Sequence, residues 1–424
     1  MRHQLPVEKL GPAGSIMADT LQACVHCGFC LPTCPTYGPL GQEMDSPRGR
    51  ITLMKETLEG TLPLEQSLPY LDRCLGCLAC ETSCPSGVSY RDLVGPFREK
   101  AALERKLSLG ERLRHRFILG FLTQPRLFAR FVKFAYLARP LRKWLPKRVR
   151  IMLELLPQRH PAKIKLPERV QPESKPRACV ALVAGCAQQV LAPEINQATI
   201  SVLVQNGVEV VVPREQRCCG ALHWHAGEGE FARSFARKNI SVFPKNIDAI
   251  ISNAAGCGSC LQEYPLILKG DFREKDAVCL ASRVCDLSVF LDNLEFKVPP
   301  PTTKPLRVVY QDACHLRHAQ GVIDAPRRIL QAIPGIVLVE IEEPEMCCGS
   351  AGVYNIDYPD VAEGLGKSKV DYILAAKPDL VVTANIGCLA QLRRHINLNE
   401  RSSRLPVLHF AVVLEQAYEG RLGS

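Results

Sequence analysis

Eight cysteines near the N-terminus fall in two copies of one spacing, and no other feature limits the possible folds as sharply. The first copy is Cys24, Cys27, Cys30 and Cys34, followed by Pro35; the second is Cys74, Cys77, Cys80 and Cys84, followed by Pro85. Each cysteine stands 50 residues after its counterpart. Three thiolates so spaced can wrap one face of an iron–sulfide cube, and C-x2-C-x2-C-x3-C-P is a run that holds [4Fe–4S] clusters. A structural zinc site takes four ligands in two pairs, and neither copy divides into pairs. Disulfide frameworks belong to short exported chains, whereas this chain has 424 residues and opens without an apolar core of signal-peptide length. The spacing therefore predicts reduced, metal-ligating cysteines in a cytoplasmic protein.

In two-cluster ferredoxins the fourth cysteine of each run ligates the other cluster. The expected sets are therefore Cys24, Cys27, Cys30 and Cys84 for one [4Fe–4S] cluster, and Cys74, Cys77, Cys80 and Cys34 for the second. Between the runs, SPRGRITLMKETLEG reads as a helix capped by Ser46, with Pro47 in its first turn and Gly60 as its stop. The first unit, residues 1–97, is thus expected to be mainly helical. Arg48 and Arg50 at the start of that helix either offset cluster charge or form an ordinary solvated helix start.

Residues 98–176 combine a basic segment with a linker. From Arg98 to Arg150 there are 16 Lys or Arg and three Glu, so this stretch carries more than the chain's whole net charge of +10. Phe117, Phe121, Leu127, Phe128, Phe131, Phe134 and Leu137 sit among those cations, and Pro125 and Pro140 divide the stretch into short helices. Such helices lie on an anionic membrane surface, pack on a partner, or cover the protein's own core. No nucleic-acid motif accompanies the charge, so nucleic acid is not an expected partner. No run approaches the length of a membrane-spanning helix. Five prolines between residues 157 and 176 mark the linker.

The C-terminal half repeats as well. In the first copy, residues 177–296, Cys186 follows the strand ACVALVAGC, Cys218-Cys219-Gly220 follows VEVVVP, and the turn GCGSC, with Cys257 and Cys260, follows DAIISN. In the second, residues 305–424, Cys314 follows LRVVYQDAC, Cys347-Cys348-Gly349 follows IVLVEIE, and Cys388 follows DLVVTAN. Strands alternate with helices, which predicts two α/β units with parallel sheets. Ligands of such sheets collect beyond the carboxyl ends of the strands, where these cysteines fall. Adjacent thiolates suit a polynuclear site; a further iron–sulfur cluster, a zinc site and buried structural thiols all remain open readings. Cys179, Cys279 and Cys285 lack partners in the repeat and read as core residues.

His223 and His225 follow the first CCG box, and His315 and His318 follow Cys314. They read as metal ligands, as proton carriers for a quinone, or as polar and capping groups. No Walker A loop is present, and the G-x-G-x-x-A string at Gly227 would set glutamates against a pyrophosphate, so it is rejected as a dinucleotide site. The chain carries electron-transfer parts, no catalytic residue set of its own, and no place for a flavin or nicotinamide.

Taken together, ACVHCGFCLPTCPTY, DSPRGRI, LDRCLGCLACETSCPSGV, GCAQ, the two CCG boxes (the second as CCGSAGVY) and VTANIGC resemble the iron–sulfur subunit family of bacterial glycolate oxidase (glycolate dehydrogenase). The resemblance implies a hetero-oligomer in which FAD resides only in partner subunits that oxidise glycolate to glyoxylate. This chain would pass the electrons towards a quinone-linked respiratory acceptor, peripherally on the inner face of the membrane. The CCG boxes also resemble those of heterodisulfide reductase, whose CCG-bearing subunit holds non-cubane clusters. There each motif ends in C-x2-C; here Cys257 and Cys260 keep that ending, while Gln391 replaces the last cysteine of the second copy. Alternatives under the same resemblance are the iron–sulfur subunit of a D-lactate or anaerobic glycerol-3-phosphate dehydrogenase, a thiol/disulfide catalyst, and a zinc-binding adaptor.

Overall fold

The computed structural model describes residues 5–106, 108–399 and 404–424; residues 1–4 of the expected N-terminal unit lie outside the described residues. The described part of that unit is helical. The Pro47–Glu59 helix begins as its sequence predicts: the Ser46 hydroxyl accepts from the Gly49 N–H at 3.0 Å, Pro47 takes the first turn, and Gly60 ends the helix at φ +81°. It packs with the helices Gly14–Ala23 and Tyr90–Glu104 around Met17, Leu21, Met54, Leu71, Leu93 and Phe97. The last helix runs through the boundary expected at residue 97, because Phe97 and Ala101 on its inner face stay in this core.

The basic segment forms the helices Leu109–Leu122, Pro125–Ala138 and Lys147–Glu154, with a 3-10 turn over Arg139–Trp144. Its aromatic residues divide between two environments. Phe121, Phe128 and Val132 are buried against Val190 and Leu191, whereas Phe117, Phe134, Leu137 and Trp144 are exposed. No described helix is long and apolar enough to cross a membrane.

The remaining chain folds into two parallel-sheet modules. The first sheet contains β1 (Arg169–Val170), β2 (Ala178–Leu182), β3 (Val208–Val211), β4 (Ala249–Ser252) and β5 (Val284–Asp286), ordered β1-β3-β2-β4-β5. Only β1 is antiparallel; it arises within the proline-rich linker, where no strand was expected. The second sheet contains β6 (Leu306–Gln311), β7 (Ile336–Leu338), β8 (Leu380–Thr383) and β9 (Val407–His409), ordered β7-β6-β8-β9 and wholly parallel. The order β3-β2-β4-β5 therefore recurs as β7-β6-β8-β9, as the repeat requires. Every residue of β4 and of β8 is buried, which is why those strands read as continuous apolar runs rather than alternating ones.

Three units meet along two seams. The helices Glu194–Gln205 and Phe410–Tyr418 pack together between the modules, and His409 Nε2 donates to the Asn253 carbonyl at 2.9 Å. The helical unit docks through Gly95, set against the buried Trp224 ring, and through Tyr354, whose hydroxyl donates to the Arg73 carbonyl at 3.0 Å.

Candidate iron–sulfur centres

The first cysteine run leaves the Gly14–Ala23 helix at Cys24 and turns through two left-handed residues, His26 at φ +56° and Gly28 at φ +86°. The second run repeats the path, with Gly76 at φ +65° and Leu78 at φ +64°. The backbone of one copy is thus the backbone of the other, but glycine has changed places. Each copy keeps one non-glycine residue in a conformation that costs roughly 1–2 kcal/mol, a sign that the thiol positions are held by more than local preference.

Cys24, Cys27, Cys30 and Cys84 line one cleft, together with Arg48, Ile51, Val88 and Tyr90. This is the crossed set, three thiols from one run and one from the other; Cys80 of the neighbouring set borders the same cleft. Arg48 braces the loop by donating to the His26 carbonyl at 3.1 Å. Burial pushes the Cys30 thiol up to about 11 and raises Cys24 as well. Cys27 is exposed, flanked by exposed Val25 and Phe29.

The second crossed set lies deeper: Cys34 and Cys77 are buried, Cys74 and Cys80 half-buried. Burial raises Cys77 and Cys80 well above the ordinary thiol range, and the charges of Cys74 and Cys34 add to it. Cys74 goes the other way: burial opposes its thiolate, but Arg50 and Arg98 outweigh that and lower its pKa. Arg50 is buried, with Nη1 3.6 Å from Cys34 Sγ, and it donates to the Tyr70 carbonyl at 2.9 Å and the Thr36 hydroxyl at 2.9 Å. Asp45, also buried, receives Arg50 at 3.3 Å and a two-pronged Arg73 contact at 2.8 Å. Of the two arginines considered from sequence, Arg50 meets the thiols directly, and Arg48 supports the first loop.

Beyond the sheets, the CCG cysteines converge as their strand-end positions imply. Cys186 follows β2 and touches Cys218, which follows β3, at 3.3 Å. The expected GCGSC turn is instead the start of the Ala255–Gln262 helix, because the strand ends early enough for the glycine-rich segment to wind. That helix brings Cys257 and Cys260 to Cys219, whose pKa falls well below the usual value as Cys218, Cys257 and Cys260 donate to it. Tyr264 and Asn239 fix the pair from behind, donating to the carbonyls of Cys219 at 2.9 Å and Cys218 at 3.1 Å.

The second module gathers four thiols: Cys314 beside Cys347, and Cys348 3.4 Å from Cys388. Hydrogen bonds from Cys347 and Cys388 lower Cys348, and one from Cys347 lowers Cys314. Gln391 is buried where a fifth thiol would stand, donating to the Ala362 carbonyl at 3.2 Å. Among the described residues, no three His, Cys, Asp or Glu side chains close to the spacing of a single metal ion. The donor chemistry suits clusters, which need thiolates spread around several metal atoms.

The four thiol groups are contiguous. Cys77 of the second ferredoxin set shares an apolar patch with Cys347, Tyr354 and Leu75, and the Cys314 charge acts on Cys77. Between the two CCG sites lie His225 and His315, with ring centroids 5.5 Å apart. Burial lowers His225 to about 3, so it is neutral; His315 Nε2 is buried with no hydrogen-bond partner among the described residues. His223 instead bonds Glu228 at 2.7 Å, and His318 bonds Thr82 at 2.8 Å, so these two serve packing and docking.

Of the three remaining cysteines, Cys179 and Cys285 are half-buried on β2 and β5, but Cys279 is exposed. The core reading fails for Cys279 because the Glu274–Ala281 helix turns it outward. Sequence reading missed Lys369, which is buried near Cys347, Cys348 and Cys388 and donates to the carbonyls of Glu343 and Pro344 at 2.8 and 2.7 Å. Its signal was present: a lysine on the buried Leu365–Lys369–Ile373 stripe of its helix. Tyr90, donating to Cys74 Sγ at 3.8 Å, and Arg98, donating to the Cys74 carbonyl at 2.6 Å, gave none.

Comparison with known proteins agrees with this anatomy. Residues 20–88 match the 4Fe-4S dicluster domain family, and residues 180–262 and 308–393 each match a cysteine-rich domain family. The chain is 35% identical to the glycolate oxidase iron-sulfur subunit of Escherichia coli K12, over 99% of this chain and 100% of that one. It is 37% identical to the probable glycolate oxidase iron-sulfur subunit of Bacillus subtilis 168, over 93% of each. Lactate utilization protein A of Oceanobacillus iheyensis is 29% identical, over 57% of this chain and 98% of that protein.

Proposed function

The chain belongs to the glycolate oxidase iron–sulfur subunit family, and from that premise we propose that it is the electron-transfer subunit of a flavin-linked glycolate dehydrogenase. Its FAD-bearing partner subunits take the electron pair as glycolate becomes glyoxylate, and this chain leads the electrons towards a quinone-linked respiratory acceptor. The observation that carries the reading is the unbroken run of thiol groups, from the exposed Cys27 loop through the Cys77–Cys347 patch to the His225–His315 contact. Bound iron–sulfur clusters supply one-electron chemistry at such sites.

The chain's own residues do the rest. Cys24, Cys27, Cys30 and Cys84 would hold one [4Fe–4S] cluster, and Cys34, Cys74, Cys77 and Cys80 the second. Arg50 and Arg98 offset thiolate charge at the second site, whose Cys34 and Cys77 are buried. The five thiols Cys186, Cys218, Cys219, Cys257 and Cys260 would hold a third, non-cubane cluster. Cys314, Cys347, Cys348 and Cys388, one thiol short, would take a cluster rather than a single zinc ion, for which no described group has the spacing. We place the protein in the cytoplasm, with exposed Phe134, Leu137 and Trp144 among arginines as its peripheral membrane contact.

Anaerobic co-purification with the flavoprotein tests the reading, followed by reduction with glycolate, D-lactate or glycerol 3-phosphate. Glycolate should bleach the chain's visible absorption only when the flavoprotein is present. Bleaching by glycolate without any flavoprotein would overturn the proposal, as would preparations free of iron. Metal analysis at about eight irons supports two clusters alone, and clearly more supports a third.

A further inference from the structure

Cys186 and Cys218 have a second neighbour besides each other. They form part of the floor of a cleft of about 1390 Å³, together with Ala184 and Gly185, beyond the carboxyl ends of β2 and β3. This is where an open parallel sheet presents its ligand crevice. Small-molecule sites usually span roughly 300–1,000 Å³, so the cleft has room for an extended ligand.

Its walls are one-signed. Arg126, Arg130 and Lys133 project from the Pro125–Ala138 helix at i, i+4 and i+7, a single stripe. Lys163 and Lys165 come from the linker, and Arg217 from the loop after β3. Among the described residues none of these six forms an ion pair. The remaining two cations of the lining are already engaged: Arg214 pairs with Glu168, and Lys238 with Glu215, the cleft's lone carboxylate among the described lining residues. These six cations, of which Arg217 already feels Glu215 at longer range, lie on three separate segments and repel one another across a concavity, and a mobile counter-ion of opposite sign relieves that repulsion. A flat bilayer cannot enter a concave site whose floor is strand-end backbone. The cleft is larger than one small anion would fill.

We propose that this cleft binds a small polyanion, a molecule bearing two or more separated phosphate, sulfonate or carboxylate groups, directly over the Cys186–Cys218 pair. The site is independent of the electron-transfer reading, since occupancy can be read without turnover.

Isothermal titration of the anaerobically purified full chain with inorganic pyrophosphate is the test, with inorganic phosphate as the single-anion comparison. One saturable site is expected, tighter for pyrophosphate, weakening on the order of tenfold between low and moderate salt. The double variant R130E/R217E reverses two exposed charges on separate segments of the lining and should weaken pyrophosphate binding about thirtyfold or more at unchanged iron content and melting temperature. A matched double, K175E/K245E, alters exposed cations outside the cleft and should bind as the parent does. Absence of saturable pyrophosphate binding, or equal losses in both doubles, would overturn the proposal. So would an oligoglutamate peptide binding more tightly than pyrophosphate with the same sensitivity to R130E/R217E, which would assign the cleft to an acidic protein segment.

Discussion

Arg50 offers the sharpest check on the claim that the second thiol set is electrostatically tuned. Its guanidinium lies 3.6 Å from Cys34 Sγ and is buried with Asp45. A unit charge at that distance is worth roughly 5 kcal/mol at an effective dielectric constant of about 20. An electron added to a cluster is shared over several more distant atoms, so about half of that, roughly 2.5 kcal/mol, should bear on reduction. For a one-electron couple this corresponds to about 100 mV. Arg50→Gln removes the charge and should make one of the ferredoxin-type centres harder to reduce by about that amount. Arg50→Lys keeps the charge and should recover most of the potential, even though it loses the fork that serves Thr36 and Tyr70. Both variants should lose stability, because part of the Asp45 pairing is broken in a buried place, but Arg73 still holds that carboxylate. The assay is an anaerobic redox titration of the full chain followed by EPR, with iron content and melting temperature alongside. An unchanged potential in Arg50→Gln, equal shifts in both centres, or a lysine variant as displaced as the glutamine one would refute the reasoning.

The crossed ligand sets predict that Cys34→Ser and Cys77→Ser abolish the same EPR signal, while Cys84→Ser abolishes the other; a signal shared by Cys34→Ser and Cys24→Ser would contradict the assignment. His409, pushed down to about 4 by burial although its ring bonds Asn253, favours the neutral ring in the fold. Its contribution is complete above pH 6.5 and drains away as pH falls to about 4, amounting to about 3 kcal/mol; denaturant unfolding of His409→Asn across that window should show a correspondingly shallower slope. At Gly95, an added Cβ would stand 2.6 to 3.0 Å from the Trp224 ring, so Gly95→Ala should cost about 1–3 kcal/mol. Gly364→Ala, with open space around it in the Pro359–Ala375 helix, should leave the melting temperature unchanged or raise it slightly.

What the sequence disclosed was whatever short-range chemistry dictates. The cysteine spacings, the Ser46 cap with Pro47 and Gly60, and the apolar runs at β2, β4, β6 and β8 each carry their reason within a dozen residues. What stayed hidden depends on partners far along the chain. Strands β5 and β9 have three residues each, too few to show a period, and they exist because β4 and β8 offer an edge. The Asp45–Arg73 pair, the contact of Cys77 with Cys347 and the meeting of His225 with His315 join residues whose neighbours give no hint of them. Trp224 reads as one aromatic residue among many until Gly95 is seen against it. The basic segment was legible in composition but not in allocation: nothing in FARFVKFAY tells that Phe128 turns inward while Phe134 faces out.

The proposed exchange of the fourth thiol between the two runs would also dictate how such a chain can be made and unmade. A nascent polypeptide cannot complete its first nest until Cys84 has emerged from the ribosome, and by then the entire second run has emerged too. Neither nest has its four thiols before Cys80 has emerged, and the second is complete only four residues ahead of the first, so neither run of cysteines by itself holds a cluster. The reverse also holds: a protease cut between residues 34 and 74 would not release a working half, but would leave both nests dependent on a thiol from a separate piece.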